Sequence, residues 1–346
     1  MSLRAIDVYL PDHHEGPLKD TLADHAEVLD LWSPRLGERT LWTRVLVQAQ
    51  DAEPILDALE RFSSEEGFRV VLLPVEATLP RPEPPPEAEA APAEEESPAK
   101  KRLRISREEL YADVAAMIQL NPVFLTMVAL STLVAAIGLI KDNAVVVIGA
   151  MVIAPLLGPN VALSLASTLA DGKLGRQALR TNLVGVATAF ALALGVGAFF
   201  GLWAPQLELA RIPEIAARTR VDLGDVALAL MSGVAGALSL TTGVPTSLIG
   251  VMVAVALLPP LAVCAMLLGA GEPALAARAL LLLAVNVICV NLAGGGTFLV
   301  QGIRPATWWE AARAKRAARV SLLVWGGLLV GLVGLVAYAQ YLAPPG

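Results

Sequence analysis

The residues best able to do chemistry in this chain are neutral ones set in apolar surroundings. They are Asn160, Ser164 and Ser167; Thr241, Thr242, Thr246 and Ser247; and Asn182, Asn286 and Asn291. Amides and hydroxyls in such places either join helices by hydrogen bonds or replace part of a solute's water shell. Beside them stand Pro155, Gly158 and Pro159 and, later, Pro259 and Pro260. A proline inside a helix removes a donor and clashes with the preceding turn, so backbone carbonyls are freed and need protein or water as partners. No Asp, Glu, Lys, Arg or His lies within the apolar stretches, which disfavours a proton relay through buried carboxylates.

Two further sets lie elsewhere. Asp12-His13-His14-Glu15, with His25 nearby, has metal-capable side chains, but adjacent histidines in a polar loop are usually just solvated, and no metal is assigned to them. Lys100, Lys101, Arg102, Arg104 and Arg107, together with Arg313, Lys315, Arg316 and Arg319 beside Trp308-Trp309, form a basic collar. Positive-inside anchoring accounts for it, with anionic lipid or a phosphorylated small ligand as the alternative occupant. There is no paired-histidine metal helix, nucleophile elbow or phosphate-cradling Gly-Lys-Ser/Thr loop, so neither an enzyme nor a cofactor is expected, and no feature points to nucleic acid.

Composition says which solvent positions these groups. Of 346 residues 55% are hydrophobic and only 17% charged, against roughly 25% charge in soluble domains. A mean hydropathy of +0.62 makes the bilayer the main solvent. The net charge of −6 is local: residues 79–99 carry six Glu against Arg81, leaving −1 for the rest. Cys264 and Cys289 sit in apolar runs as small hydrophobes.

Residues 1–78 mix charge and hydrophobe, without a signal peptide, and should stay cytoplasmic. A strand over Leu3 to Leu10, a helix over Leu18 to Leu31, a hairpin turning at Leu36-Gly37-Glu38 into Thr40 to Gln50, a helix after Asp51 and a buried strand over Phe68 to Val75 give the order βαββαβ, a ferredoxin-like α+β sandwich. Residues 79–99, with seven prolines, read as a disordered Pro/Glu linker. Residues 100–122 read as a basic juxtamembrane helix opened by the capping box Ser106-Arg107-Glu108-Glu109.

Residues 123–346 form an α-helical integral membrane domain with seven apolar stretches: Val123 to Ile140, Ala144 to Ala170, Leu183 to Ala204, Val226 to Leu240, Thr246 to Gly271, Ala279 to Ile303 and Val320 to Ala343. Five read as unbroken spans. The second and fifth are expected to be broken by their prolines. Residues 304–319 read as an interfacial helix. IGAMVIAPLLGP (Ile148 to Pro159) and IGVMVAVALLPP (Ile249 to Pro260) agree at seven of twelve positions at an offset of 101, which predicts an internal repeat over about 123–204 and 226–303. If the broken segments cross, the repeats are inverted; if they re-enter, they are parallel. Counting Lys and Arg does not choose between these, because the groups Lys173, Arg176, Arg180 and Arg211, Arg218, Arg220 merely exchange sides.

The stretches STLVAAIGLIKDNAVVVIGAMVIAPLLGPNVALSLA (Ser131 to Ala166), RQALRTNLVGV (Arg176 to Val186) and SLIGVMVAVALLPPLA (Ser247 to Ala262) resemble the bacterial and archaeal membrane family known as domain of unknown function 389, the uncharacterised hydrophobic domain family. The resemblance covers about Leu110 to Ile303, and the N-terminal lobe is also similar. It implies membership but no reaction, so no site residue is carried over from it.

The expectation is a multi-pass inner-membrane transporter or channel-like protein for a small ion or solute, its pathway at Pro155, Gly158, Pro159, Asn160, Ser164, Thr242, Ser247, Pro259, Pro260, Asn286 and Asn291. The cytoplasmic lobe would be regulatory. The rival is a non-transporting sensor or scaffold that binds a phosphorylated ligand or anionic lipid. Glycines such as Gly294-Gly295-Gly296, Gly327 and Gly331 permit a homo-oligomer, with a trimer as the guess.

Overall fold

The computed structural model describes residues 3–23, 25, 28–33, 35–36, 40–75, 105–204, 206–242, 246–303, 320 and 323–334. The linker 79–99, the collar residues Lys100, Lys101, Arg102, Arg104, Arg313, Lys315, Arg316 and Arg319, the stretch 304–319 and the turn at Gly37-Glu38 lie outside them. The chain divides into two units, Met1–Tyr111 and Ala112–Gly346.

In the first unit the elements run β1 (Leu3–Pro11), a 3₁₀ turn (Asp12–His14), α1 (Glu15–Ala23), β2 (Asp30–Trp32), β3 (Arg35–Leu36), β4 (Thr40–Gln48), α2 (Ala52–Leu59) and β5 (Arg69–Val75). The sheet is antiparallel in the order β2-β4-β1-β5, and β3 also pairs with β4. Strand alternation puts Ile6, Val8 and Leu10 with Leu41, Val45 and Val47 on one face, where Leu18 and Leu22 of α1 and Ile55 and Leu59 of α2 cover them. Two expectations are corrected here. The first helix ends at Ala23, not Leu31, because from Leu29 the chain already hydrogen-bonds β4 (Leu29 N–H to Leu46 O at 2.8 Å). The last strand, expected to be buried, is half-exposed and, among the described residues, is an edge strand paired only with β1.

The helix α3 (Arg107–Met117) follows the foreseen cap: Ser106 Oγ accepts from Glu109 N–H at 3.2 Å. The Glu109 carboxylate does not close the capping box; it takes Arg4, with Nη2 to Oε1 at 2.6 Å.

The second unit continues with α4 (Pro122–Ile140), α5 (Ala144–Ile153), α6 (Leu157–Leu169), α7 (Gly172–Trp203), α8 (Pro213–Ala216), α9 (Leu223–Thr242), α10 (Thr246–Gly269) and α11 (Pro273–Val300), and then α12 (Leu323–Gly334). Short polar caps start several helices: Asn121 accepts from Phe124 N–H at 2.8 Å, Asn143 from Val146 N–H at 3.1 Å and Asp171 from Lys173 N–H at 2.8 Å.

Side-chain contacts fix which ends meet. Thr181, early in α7, donates to Ile118 O at 2.8 Å, just before α4. At the other end Asp142, just after α4, accepts from Glu214 N–H at 2.9 Å, beyond the end of α7. The helices α4 and α7 therefore run in the same direction, from a proximal end at Ile118 to a distal end at Asp142. Between them α5 and α6 carry the chain back, with a bend of 54° at Ala154 to Leu156.

The expected second break is not there. The helix α10 runs unbroken through Pro259 and Pro260. In the 101-residue register Pro155 stands opposite Ala256, whereas Gly158 and Pro159 stand opposite Pro259 and Pro260. Pro155 lacks the N–H that would extend α5, and the helix stops there. Gly158 and Pro159 fall in the first turn of α6, where N–H groups have no intrahelical partner anyway. Ala256 keeps its donor. Every residue from Leu257 to Leu267 is buried, among α7, α11, α5 and α4, so packing outweighs the roughly 3 kcal/mol that an interior proline costs. The helices α7 and α10 approach so closely that a side chain at Gly197 would overlap the Met266 backbone, and one at Gly269 the Leu194 carbonyl.

Candidate functional site

The bend between α5 and α6 aims the first turns of α6 at α7 and α11. Asn160, one turn into α6, is 2% exposed, and its Nδ2 donates to Leu156 O at 3.0 Å, anchoring the side chain on the break itself. Its Oδ1 accepts from two directions: Asn182 Nδ2 of α7 at 3.3 Å and Asn291 Nδ2 of α11 at 3.4 Å. Ser164, four residues on and therefore on the same helix face, donates within reach of Asn291 Oδ1 at 3.2 Å and Asn291 O at 3.3 Å. Asn291 also donates to Val287 O at 2.8 Å. Three helices thus meet through amides and one hydroxyl. The bonds between helices are long, at 3.2–3.4 Å, and such contacts between membrane helices are worth about 0.6 kcal/mol on average and at most about 1.7 kcal/mol.

A cavity of about 180 Å³ opens beside this cluster. Leu156 and Asn160 line it from α6, Leu179, Asn182, Leu183 and Val186 from α7, Leu257 and Leu261 from α10, and Leu283 and Val287 from α11. Its only polar walls are the amides of Asn160 and Asn182. A cavity of about 150 Å³ accepts benzene, and a water occupies roughly 30 Å³ in the liquid, so the space holds about six waters or a solute of comparable size.

The other sequence candidates distribute as follows. Pro155 lies in the break, half-buried, while Gly158 and Pro159 are buried at the start of α6; a side chain at Gly158 would strike Met117. Asn286 is buried in α11. Pro259 and Pro260 are buried inside α10, between the cavity residues Leu257 and Leu261. Thr242 stands apart, exposed at the end of α9 and donating to Leu238 O at 2.9 Å. The side chain of Ser247 lies outside the described residues. Arg107, drawn from the collar, is paired with Glu108 and with Asp57 at 3.1 Å. Burial works against its charge, but Glu108, Asp57 and Glu53 outweigh that and raise its pKa above the ordinary value.

Polarity does not mark the apolar walls in the sequence. Their signal was spacing: Leu179, Asn182, Leu183 and Val186 fall at intervals of three and four on α7 and share one face.

At the 101-residue offset between the two similar segments, Asn160 stands opposite Leu261 and Ser164 opposite Ala265, so the amide and hydroxyl have apolar counterparts. Ala265 lies in a dry core with Leu139, Val147, Met151, Ile215, Met266 and Leu267 at the distal end.

Among the described residues, α4, α7, α9 and α11 are each long and apolar enough to cross a bilayer, and the bent pair α5 and α6 adds a fifth span if taken as one. With its small antiparallel sheet at the N-terminus, the chain is a multi-pass α-helical membrane protein carrying an α+β lobe. Residues 151–292 match the family described as domain of unknown function (DUF389). An uncharacterized protein of Methanocaldococcus jannaschii is 32% identical over 339 residues, covering 98% of this chain and all of that protein. The chain belongs to the DUF389 family. No solved structure matches it.

Proposed function

We propose that this protein moves a small, uncharged or weakly polar solute across the membrane, binding it in the cavity beside Asn160 and Asn182. The buried amide cluster at the bend between α5 and α6 carries this reading. Polar side chains and interrupted backbone inside a bilayer are costly and are tolerated where they line a cavity or bind a substrate. Two amides in a mostly Leu and Val wall offer a few hydrogen bonds and no counter-charge, which suits a neutral solute over a bare ion. The packed apolar core at the distal end and the cavity beside Asn160 support access from one side at a time, which alternating access requires.

On the same proposal α4, the α5/α6 pair, α7, α9, α10 and α11 are six crossings, and the repeats have three spans each and are therefore inverted. The proximal end, with Lys173, Arg176 and Arg180, faces the cytoplasm along with the N-terminal lobe, and Arg211, Arg218 and Arg220 face outside. The membrane is the cell's inner membrane. Assembly into a homo-oligomer belongs to the proposal too: Gly327 and Gly331 on α12 meet no described neighbour within 4 Å and leave room for a second copy.

The test is uptake into proteoliposomes across a panel of small neutral solutes, with ions as comparison. Saturable uptake of a neutral solute, abolished by Asn160→Leu, is expected. Folded protein that passes none of them under any gradient would sink the proposal.

A further inference from the structure

We propose that the N-terminal lobe carries a site for a borderline transition-metal ion such as Zn²⁺, formed by His13, His14 and Glu65. This stands independently of the transport reading. The three residues come from two loops at one end of the sheet. His13 and His14 sit in the turn that follows β1, and Glu65 lies in the loop leading to β5. The pairing of Tyr9 with Arg69 brings these loops together. One potential ligand atom from each residue lies within 4.8 Å of the other two.

Two features raise this above chance proximity. The His14 ring is held in place, edge-on to Phe62 with centroids 5.9 Å apart and against His13 at 4.1 Å. Its Nε2 is shielded from solvent and 3.1 Å from Glu65 Oε2, yet it makes no hydrogen bond. A short approach without hydrogen-bond alignment is what a ligand sphere looks like, because lone pairs converge on a common point and not on each other. With metal–ligand bonds of about 2.0–2.2 Å, tetrahedral ligands stand roughly 3.3 Å apart, close to the 3.1 Å between His14 Nε2 and Glu65 Oε2, while the His13 ligand atom lies within 4.8 Å of both and would close in on the ion. Two imidazoles and a carboxylate select Zn²⁺, Ni²⁺ or Cu²⁺ over Mg²⁺ or Ca²⁺, and three protein ligands leave a fourth position for water. A bound ion would clamp the turn after β1 to the loop before β5.

The experiment uses the full-length protein in detergent, free of any histidine tag and stripped with chelator, titrated with Zn²⁺ by calorimetry and with Co²⁺ by visible absorption. We expect one equivalent bound, a tetrahedral Co²⁺ spectrum and a higher melting temperature with Zn²⁺. His14→Ala and Glu65→Gln should each weaken binding by about tenfold or more, since even outer-shell partners are worth roughly 10–100-fold. Glu65 is exposed, so Glu65→Gln keeps the test informative if His14→Ala fails to fold. Absence of Zn²⁺ binding by the wild type, or binding that both variants leave unchanged, overturns the proposal.

Discussion

Asn160 is the residue on which the site turns, because its single carbonyl oxygen receives donors from both α7 and α11. Replacing it with Leu leaves those two donors without their acceptor. Asn160→Leu should therefore lower stability by about 1–3 kcal/mol and abolish uptake, whereas loss of uptake with no change in melting temperature would place its role in solute contact alone. Melting in detergent and flux into liposomes measure the two separately. Glycines give a second contrast at this scale. Alanine is favoured over glycine inside a helix by roughly 0.5–1 kcal/mol. At Gly295 no described atom lies within 4 Å of the added methyl, and the substitution should be neutral or slightly stabilising. At Gly197 the methyl meets the Met266 backbone, which cannot rotate away, and Gly197→Ala should cost about 1–3 kcal/mol net, read as a lower melting temperature. Equal melting of the two variants would contradict the close approach of α7 and α10.

Among the elements, the contrast between the α5/α6 pair and α10 is the informative one. The two similar segments, Ile148 to Pro159 and Ile249 to Pro260, both end in Leu-Leu-x-Pro, and that ending does not decide whether the helix breaks. The proline three residues before Gly158 does, since Pro155 has Ala256 as its counterpart. Pro155→Ala should let α5 run further, leave stability unchanged or raised by up to about 1 kcal/mol, and reduce uptake by displacing Asn160; unchanged uptake would separate the bend from function. Ala256→Pro should cost α10 about 3 kcal/mol, seen as loss of folded protein in detergent. The sequence could show where prolines lie but not how many neighbours enclose each helix. That is why the first break was legible and the continuity of α10 was not.

At the scale of the whole molecule, single cysteines in a background lacking Cys264 and Cys289 test the six-crossing arrangement. Asp142→Cys and Glu272→Cys should react with an impermeant maleimide from outside, and Gly172→Cys only after the membrane is opened. Labelling of all three from the same side would exclude the inverted arrangement and restore the re-entrant one. The contacts that motivate this, Thr181 with Ile118 and Asp142 with Glu214, join residues 63 and 72 positions apart, and no local pattern announces them.

Apolar runs, prolines, caps and strand alternation are local properties, and they determined from sequence alone that the chain is a membrane protein with an α+β lobe, where most helices start, and which amides are set in apolar surroundings. Which of those amides meet was decided only by the tertiary structure. Asn160, Asn182 and Asn291 converge while Thr242 does not, and Glu65 joins two histidines some fifty residues away, because hydrogen bonds and ligand spheres depend on distances of a few ångströms that only packing between elements can set.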